Sequence, residues 1–125
     1  MSGQYEAPNV DDKAIWDLWL SMHYLPAATA ADELGIIDAL CARPMTLDDM
    51  VSDLSLNRRA LGVTMSVLCA LNLAARREGA YHPSSVARAY LRSDSEYYWG
   101  PLFSSYKNSS SIHEQLINLL KSGDG

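Results

Sequence analysis

The residues of this chain that could act chemically are few, and the densest group is a set of four arginines. Arg58 and Arg59 open the stretch "SLNRRALGVTMSVLCALNLAARREGAYHP", and Arg76 and Arg77 stand near its end. Guanidinium groups placed like this suit phosphate oxygens. The order of polar start, helix, short strand, basic turn and second strand is that of a winged helix-turn-helix, which in many proteins enters the major groove of DNA. Beyond the arginines the candidates thin out. His23, His82 and His113 fall on separate predicted elements, and no Cys or carboxylate stands at metal-ligand spacing to any of them. No serine sits in a nucleophile elbow. The seven glycines (3, 35, 62, 79, 100, 123 and 125) are dispersed, which rules out a phosphate-cradling or dinucleotide loop. The sequence predicts no catalytic residue, no metal ligand and no cofactor site in this chain.

A helical wheel tests the DNA reading. With Leu61 at zero, Leu61, Thr64, Met65, Leu68, Leu71 and Asn72 share the expected core face, and Gly62, Val63, Ser66, Val67 and Ala70 point away from it. Base readout needs Arg, Lys, Asn, Gln, Ser or Thr on that outer face, and beyond the first turn only Ser66 qualifies. Small apolar residues suit a protein surface better than a hydrated, charged groove. The four arginines could still meet phosphates, which strengthens binding without reading sequence. Their alternative is weak solvated pairing with Asp48, Asp49, Asp53 and Glu78.

The elements that would position these residues follow from caps and periodicity. Residues 1–10 carry no periodicity and are expected to be disordered. A helix is predicted from Asp11-Asp12 to about Tyr24, and Pro26 is expected to open a second one, "PAATAADEL", that ends at Gly35. A short "IIDALC" helix follows. Thr46 and Asn57 cap the two helices of the helix-turn-helix, and Asp49 completes a capping box with Thr46. "LAARRE" and "AYHP" flank Gly79 as the two strands of a wing. Ser84 or Ser85 caps "VARAYL", an aromatic helix covers "EYYWGPLFSSYK", and the last helix runs from about Ile112 to Lys121. The predicted fold is mainly α: a winged helix-turn-helix with a small two-stranded wing and extra N- and C-terminal helices, to which the family resemblance given below adds an intertwined dimer. The domain spans 11–122, and 123–125 begin a linker.

Two features point to a partner. On the first helix Ile15, Leu18, Trp19 and Met22 form the stripe one core contact requires, yet Trp16, Leu20, His23 and Ala27 form a second stripe beside it. An apolar arc of about 200° suggests that one face meets the chain's own core and the other a second body, most simply another copy. In the tail, Tyr97, Tyr98, Trp99, Phe103 and Tyr106 crowd into ten residues, as extra core or as the wall of an apolar ligand pocket.

Length and charge set the remaining bounds. The 125 residues, 48% hydrophobic, suit one domain with one core. The net charge is −5, which argues against a general polyanion binder, and residues 43–92 are the only basic part, at +3. Cys41 and Cys69 lie in apolar helical patterns and the N-terminus lacks a signal-peptide pattern, so a reducing cytoplasm is expected. No apolar run approaches a membrane span.

"LPAATAADELGIIDAL", "MTLDDMVSDLSLNRRALGVTMSVLCALNLAARREGAYHPSSVARAYL", "SEYYWGPL" and "INLLKSG" together resemble the N-terminal dimerisation domain of small-molecule O-methyltransferases that use S-adenosylmethionine, in particular the hydroxyindole and polyketide-tailoring branch. The resemblance covers about Ile15 to Gly123. It implies a winged helix that interlocks with a second subunit instead of binding DNA, with Ile15, Trp16, Trp19, Leu20, Val63 and Val67 at the dimer interface. It also implies that Met22, His23, Tyr98, Trp99, Phe103 and Tyr106 line the side facing an aromatic or polyketide-like substrate. The family's S-adenosylmethionine site and catalytic base belong to a following α/β domain that this sequence does not contain. Two alternatives stand beside this reading: a winged-helix transcription regulator and a free-standing interaction module.

Overall fold

Six consecutive residues, Pro26, Ala27, Ala28, Thr29, Ala30 and Ala31, are all buried. Six in a row cover every side of a helix, so this segment is the hub of the domain. It belongs to α1 (Lys13–Glu33). Against it or beside it pack α2 (Ile36–Ala42), α4 (Arg58–Ala70), α6 (Gly100–Ser109) and α7 (Ser111–Ser122). Small side chains at every one of these positions let the neighbouring helices approach closely without voids. The computed structural model describes residues 10–123, apart from the side chains of residues 16, 17, 19–23 and 109.

The predicted break before Pro26 does not occur; α1 runs straight through as one helix. A proline there removes one donor and crowds the carbonyl four residues back, at a cost of about 3 kcal/mol. Burying the whole 26–31 segment offsets that cost, and the Thr29 hydroxyl donates to the Pro26 carbonyl at 3.1 Å. The expected core stripe in the N-terminal half is also not met: Ile15 is 68% and Leu18 70% exposed. The hub lies a full two turns further along, where the small residues are, so Ile15 and Leu18 lie outside the core. Gly35, at φ 74, then turns the chain into α2, a conformation that favours glycine.

The helix-turn-helix forms as its caps predict. In α3 (Leu47–Leu54) the Thr46 hydroxyl accepts from the Asp49 N–H, and the Asp49 carboxylate accepts from the Thr46 N–H, each at 3.1 Å. The backbone bond from Thr46 holds the Asp49 carboxyl below its ordinary range. Asn57 caps α4 by accepting from the Ala60 N–H. Leu61, Thr64, Met65 and Leu68 are buried as the wheel requires, and the three apolar ones share one core cluster with Leu40, Met50 and Leu120. Leu71 and Asn72 depart from it, because α4 ends at Ala70 and Asn72 takes a left-handed φ of 60°.

β1 (Ala74–Arg77) and β2 (Ala80–Pro83) pair antiparallel, with Arg77 opposite Ala80. Glu78 and Gly79 both have positive φ, the two-residue turn whose twist matches such a hairpin. Met45 exchanges two backbone hydrogen bonds with Tyr81 of β2, at 2.7 and 3.2 Å. Ser84 caps α5 (Ser85–Tyr90). The aromatic tail differs from its expectation: Glu96 to Trp99 are not helical, and α6 begins only at Gly100, with Pro101 in its first turn, where a missing N–H costs nothing. At the far end the Leu120 carbonyl of α7 accepts from the Asn57 N–H at 2.6 Å, joining the last helix to the start of α4.

A Cβ on Gly62, inside α4, would meet its nearest neighbour, Leu47 Cδ2, at an ordinary 3.8 Å. Gly62→Ala is expected to stabilise the domain by about 0.5–1 kcal/mol and raise its Tm by several degrees, measurable by thermal denaturation.

Candidate functional site

The outer face of α4 is where the DNA and docking readings part. Val63, Ser66 and Ala70 are exposed in the single chain and Val67 is half-buried. They form one wall of an apolar groove of about 610 Å³. Pro26, Ala27 and Tyr24 of α1 contribute to it, and Ile112, Gln115, Leu116 and Leu119 of α7 line the opposite wall. Val63 remains 63% exposed, a large apolar side chain turned to water in the single chain. The Ser66 hydroxyl, the lone candidate for base contact, donates to the Gly62 carbonyl of its own helix at 3.0 Å. Arg59 lines a smaller hollow that shares Val63, Leu116 and Leu119 with the groove.

Two of the four arginines, Arg58 and Arg76, are engaged locally. Arg58 pairs with Asp48 across the helix-turn-helix, and Arg43 pairs with Asp53 at 2.6 Å. The Arg76 guanidinium lies over the Tyr81 ring, 5.5 Å from its centroid. Exposed pairs of this kind contribute little stability.

The candidate interface residues Val63 and Val67 are thus brought together in the groove, and Ile15 stands exposed on α1. The side chains of Trp16, Trp19, Leu20, Met22 and His23 lie outside the described residues. Reasoning from sequence missed the α7 wall, although the signal was there. Ile112, Leu116 and Leu119 recur at helical spacing beside the buried His113, Ile117 and Leu120, a second apolar stripe like the one on the first helix.

The four aromatic candidates do not share one wall. Trp99 and Phe103 line a second apolar hollow of about 410 Å³ with Ala28, Leu73, Val86 and Tyr90. Tyr106 meets the His113 ring edge-on. Tyr98 turns its hydroxyl inward to donate to the Asp32 carboxylate of α1, which also takes the Lys107 ammonium of α6. The Asp32 side chain is 5% exposed, so this three-part contact is an internal tie between α1 and the tail. Burial, then the bond to Asp32, pushes the Tyr98 phenol up to about 12. Burial likewise raises the Cys41 and Cys69 thiols, which disfavours their reactive thiolate forms. Among the described residues no group of three His, Cys, Asp or Glu could hold a metal ion, and no helix is long and apolar enough to cross a membrane.

A winged helix whose would-be recognition face is the wall of an apolar groove is built to dock on protein. Comparison with known proteins gives that docking domain its family. The model of the O-methyltransferase dimerisation domain matches residues 16–93, more than half of the chain, and the chain belongs to this family. Among solved structures, an O-methyltransferase family 2 protein from Planctomyces limnophilus, in complex with apigenin, is 29% identical with a TM-score of 0.77, covering 94% of this chain and 36% of that one. Human N-acetylserotonin methyltransferase in complex with S-adenosylmethionine shares the fold at 17% identity and a TM-score of 0.69, covering 86% of this chain and 33% of that one. No curated protein matches. The chain therefore spans about a third of the length of these solved relatives.

Lys107→Met would leave the buried Asp32 carboxylate without its cation and is expected to cost about 3 kcal/mol in chemical denaturation. A Cβ on Gly100 would collide with the Tyr98 ring, so Gly100→Ala is expected to displace that ring and weaken its bond to Asp32. The same phenol gives a pH signature. Its folded value lies above its ordinary 10, so its contribution is complete below pH 10 and lost as pH rises through about 12. Titration followed by tyrosinate absorbance should show the Tyr98 phenol as a late step, and Gly100→Ala should bring it back toward 10.

Proposed function

We propose that this chain is the dimerisation and substrate-lid part of an S-adenosylmethionine-dependent O-methyltransferase, working as a homodimer in a reducing cytoplasm. The whole enzyme would transfer a methyl group to a hydroxyl of an aromatic or polyketide-like small molecule, with the cofactor held by an α/β domain joined beyond residue 122. The observation that carries the reading is the groove between α4, α1 and α7. An apolar channel of this size left open to water is unfavourable, and a symmetric second copy is the simplest body to fill it. Ile15, exposed on α1 ahead of the hub, is a suitable apolar group for a second copy to cover.

The lid role draws on the hollow of Trp99 and Phe103, whose rings and indole N–H suit a flat acceptor. The apigenin complex of the Planctomyces protein and the S-adenosylmethionine complex of the human one support the substrate class and the cofactor. In this reading no residue of the chain is catalytic and none binds the cofactor. The chain's part is to pair two subunits and to shape the wall against which an acceptor lies.

Sedimentation of the purified chain at micromolar concentration tests the proposal. It should run as a dimer, and Val63→Asp should convert it to a folded monomer with an unchanged circular dichroism spectrum, because Val63 is exposed in the single chain. A wild-type monomer would overturn it. Binding to random duplex DNA that weakens steeply with added salt would favour the transcription-regulator reading instead.

A further inference from the structure

His113 is 3% exposed, at the start of α7 between α1 and α6, and no role assigned above uses it. Its two ring nitrogens have different partners. Nε2 lies 3.0 Å from Glu33 Oε1, and Nδ1 lies 2.7 Å from Thr29 Oγ1, both on α1. Thr29 Oγ1 in turn lies 3.1 Å from the Pro26 carbonyl oxygen.

Donor and acceptor counting gives this chain of contacts two states. A carboxylate only accepts, so Nε2 carries a proton while Glu33 is ionised. A carbonyl oxygen also only accepts, so when the Thr29 hydroxyl donates to Pro26, Nδ1 must donate to Thr29 and the ring is an imidazolium. When the ring is neutral, Nδ1 is an acceptor, and the Thr29 hydroxyl rotates from Pro26 to donate to it. One proton thus decides whether α7 is held to α1 by an ion pair with a continuous donor chain ending at the proline, or by a neutral ring that donates to the Glu33 carboxylate and accepts from Thr29. The surrounding charges do not duplicate this choice. Asp32, the neighbour of Glu33 on α1, is engaged by Tyr98 and Lys107; Lys107 of α6 is spent on the same carboxylate. From α6 the Tyr106 ring meets His113 edge-on, with centroids 6.5 Å apart, and on α7 itself Glu114 is exposed.

The position of this cluster links it to the groove. Pro26 and Ala27 belong to one wall, while Ile112, the residue before His113, and Gln115 and Leu116 belong to the other. We propose that His113, Thr29 and Glu33 form a proton-operated tie between α1 and α7 that sets the separation of two groove walls and makes occupation of the groove depend on pH. The identity of the occupant rests on the dimer reading, and the tie on the contacts of His113, Thr29 and Glu33 alone. The protonated tie is the tighter one. Its ion pair is present while both ring nitrogens carry protons and is lost when Nδ1 gives up its proton.

Two measurements on the full chain separate the tie from the dimer. In side-chain NMR, raising the pH should convert His113 from both nitrogens protonated to Nε2 alone, and the Ile112 methyl signals should move with the same midpoint. Methyl signals that ignore the His113 titration overturn the proposal, whether or not the chain dimerises. In sedimentation, the dimer dissociation constant should weaken by about threefold or more between about pH 5.5 and about pH 8. Glu33→Gln keeps a hydrogen-bond partner for Nε2, removes the ion pair and lies at a half-exposed position, so it should fold and flatten that dependence. A dependence of unchanged size in Glu33→Gln overturns the proposal, and a chain that stays monomeric while Ile112 follows His113 overturns the dimer reading and leaves the tie standing.

Discussion

The rest of the domain depends on the close approach of helices to α1 between Pro26 and Ala31. Every side chain in that segment is small and buried, so neighbouring helices can approach its backbone without steric conflict. The arrangement has two outcomes. It places a proline in a helix interior, where only surrounding packing can hold the chain in register. It also leaves the outer side of α4 and the outer stripe of α7 facing each other across a gap that α1 is too slender to fill, and that gap is the groove.

Polar contacts then fix what the small residues permit. Asp32 and Glu33, adjacent at the end of α1, reach in different directions: one holds the aromatic segment and α6 through Tyr98 and Lys107, the other holds α7 through His113. Apolar packing against alanine is poor at specifying rotation, since one methyl resembles another. Directional bonds from two successive carboxylates supply the missing orientation.

Much of this was legible in the sequence because its signals are local. Thr46, Asn57 and Ser84 cap their helices through bonds to the residue three positions on, and Glu78-Gly79 sets the hairpin through two positive φ angles. The family resemblance drew on the same stretches, and the match over residues 16–93 agrees with it. What was not legible depends on distant partners. Pro26 looks like a helix start until the burial around it is known. Ile15 and Leu18 look like core until the hub proves to be made of alanines further along. Tyr98 and Tyr106 look like neighbours of Trp99 and Phe103 by composition, but the turn before Gly100 directs Tyr98 to Asp32, and α6 carries Tyr106 to His113. The α7 wall of the groove had a periodic signature, and it is visible once both stripes of that helix are counted.

The paired backbone bonds between Met45 and Tyr81 carry a mechanical consequence. They stitch the inner edge of the hairpin to the residue that leads into the capping box of α3, so the two strands and the helix-turn-helix behave as one rigid plate. A plate of this kind cannot flex about its own turn to follow a curved partner. Movement within the domain would fall instead to the helix–helix contacts, which no sheet ties together.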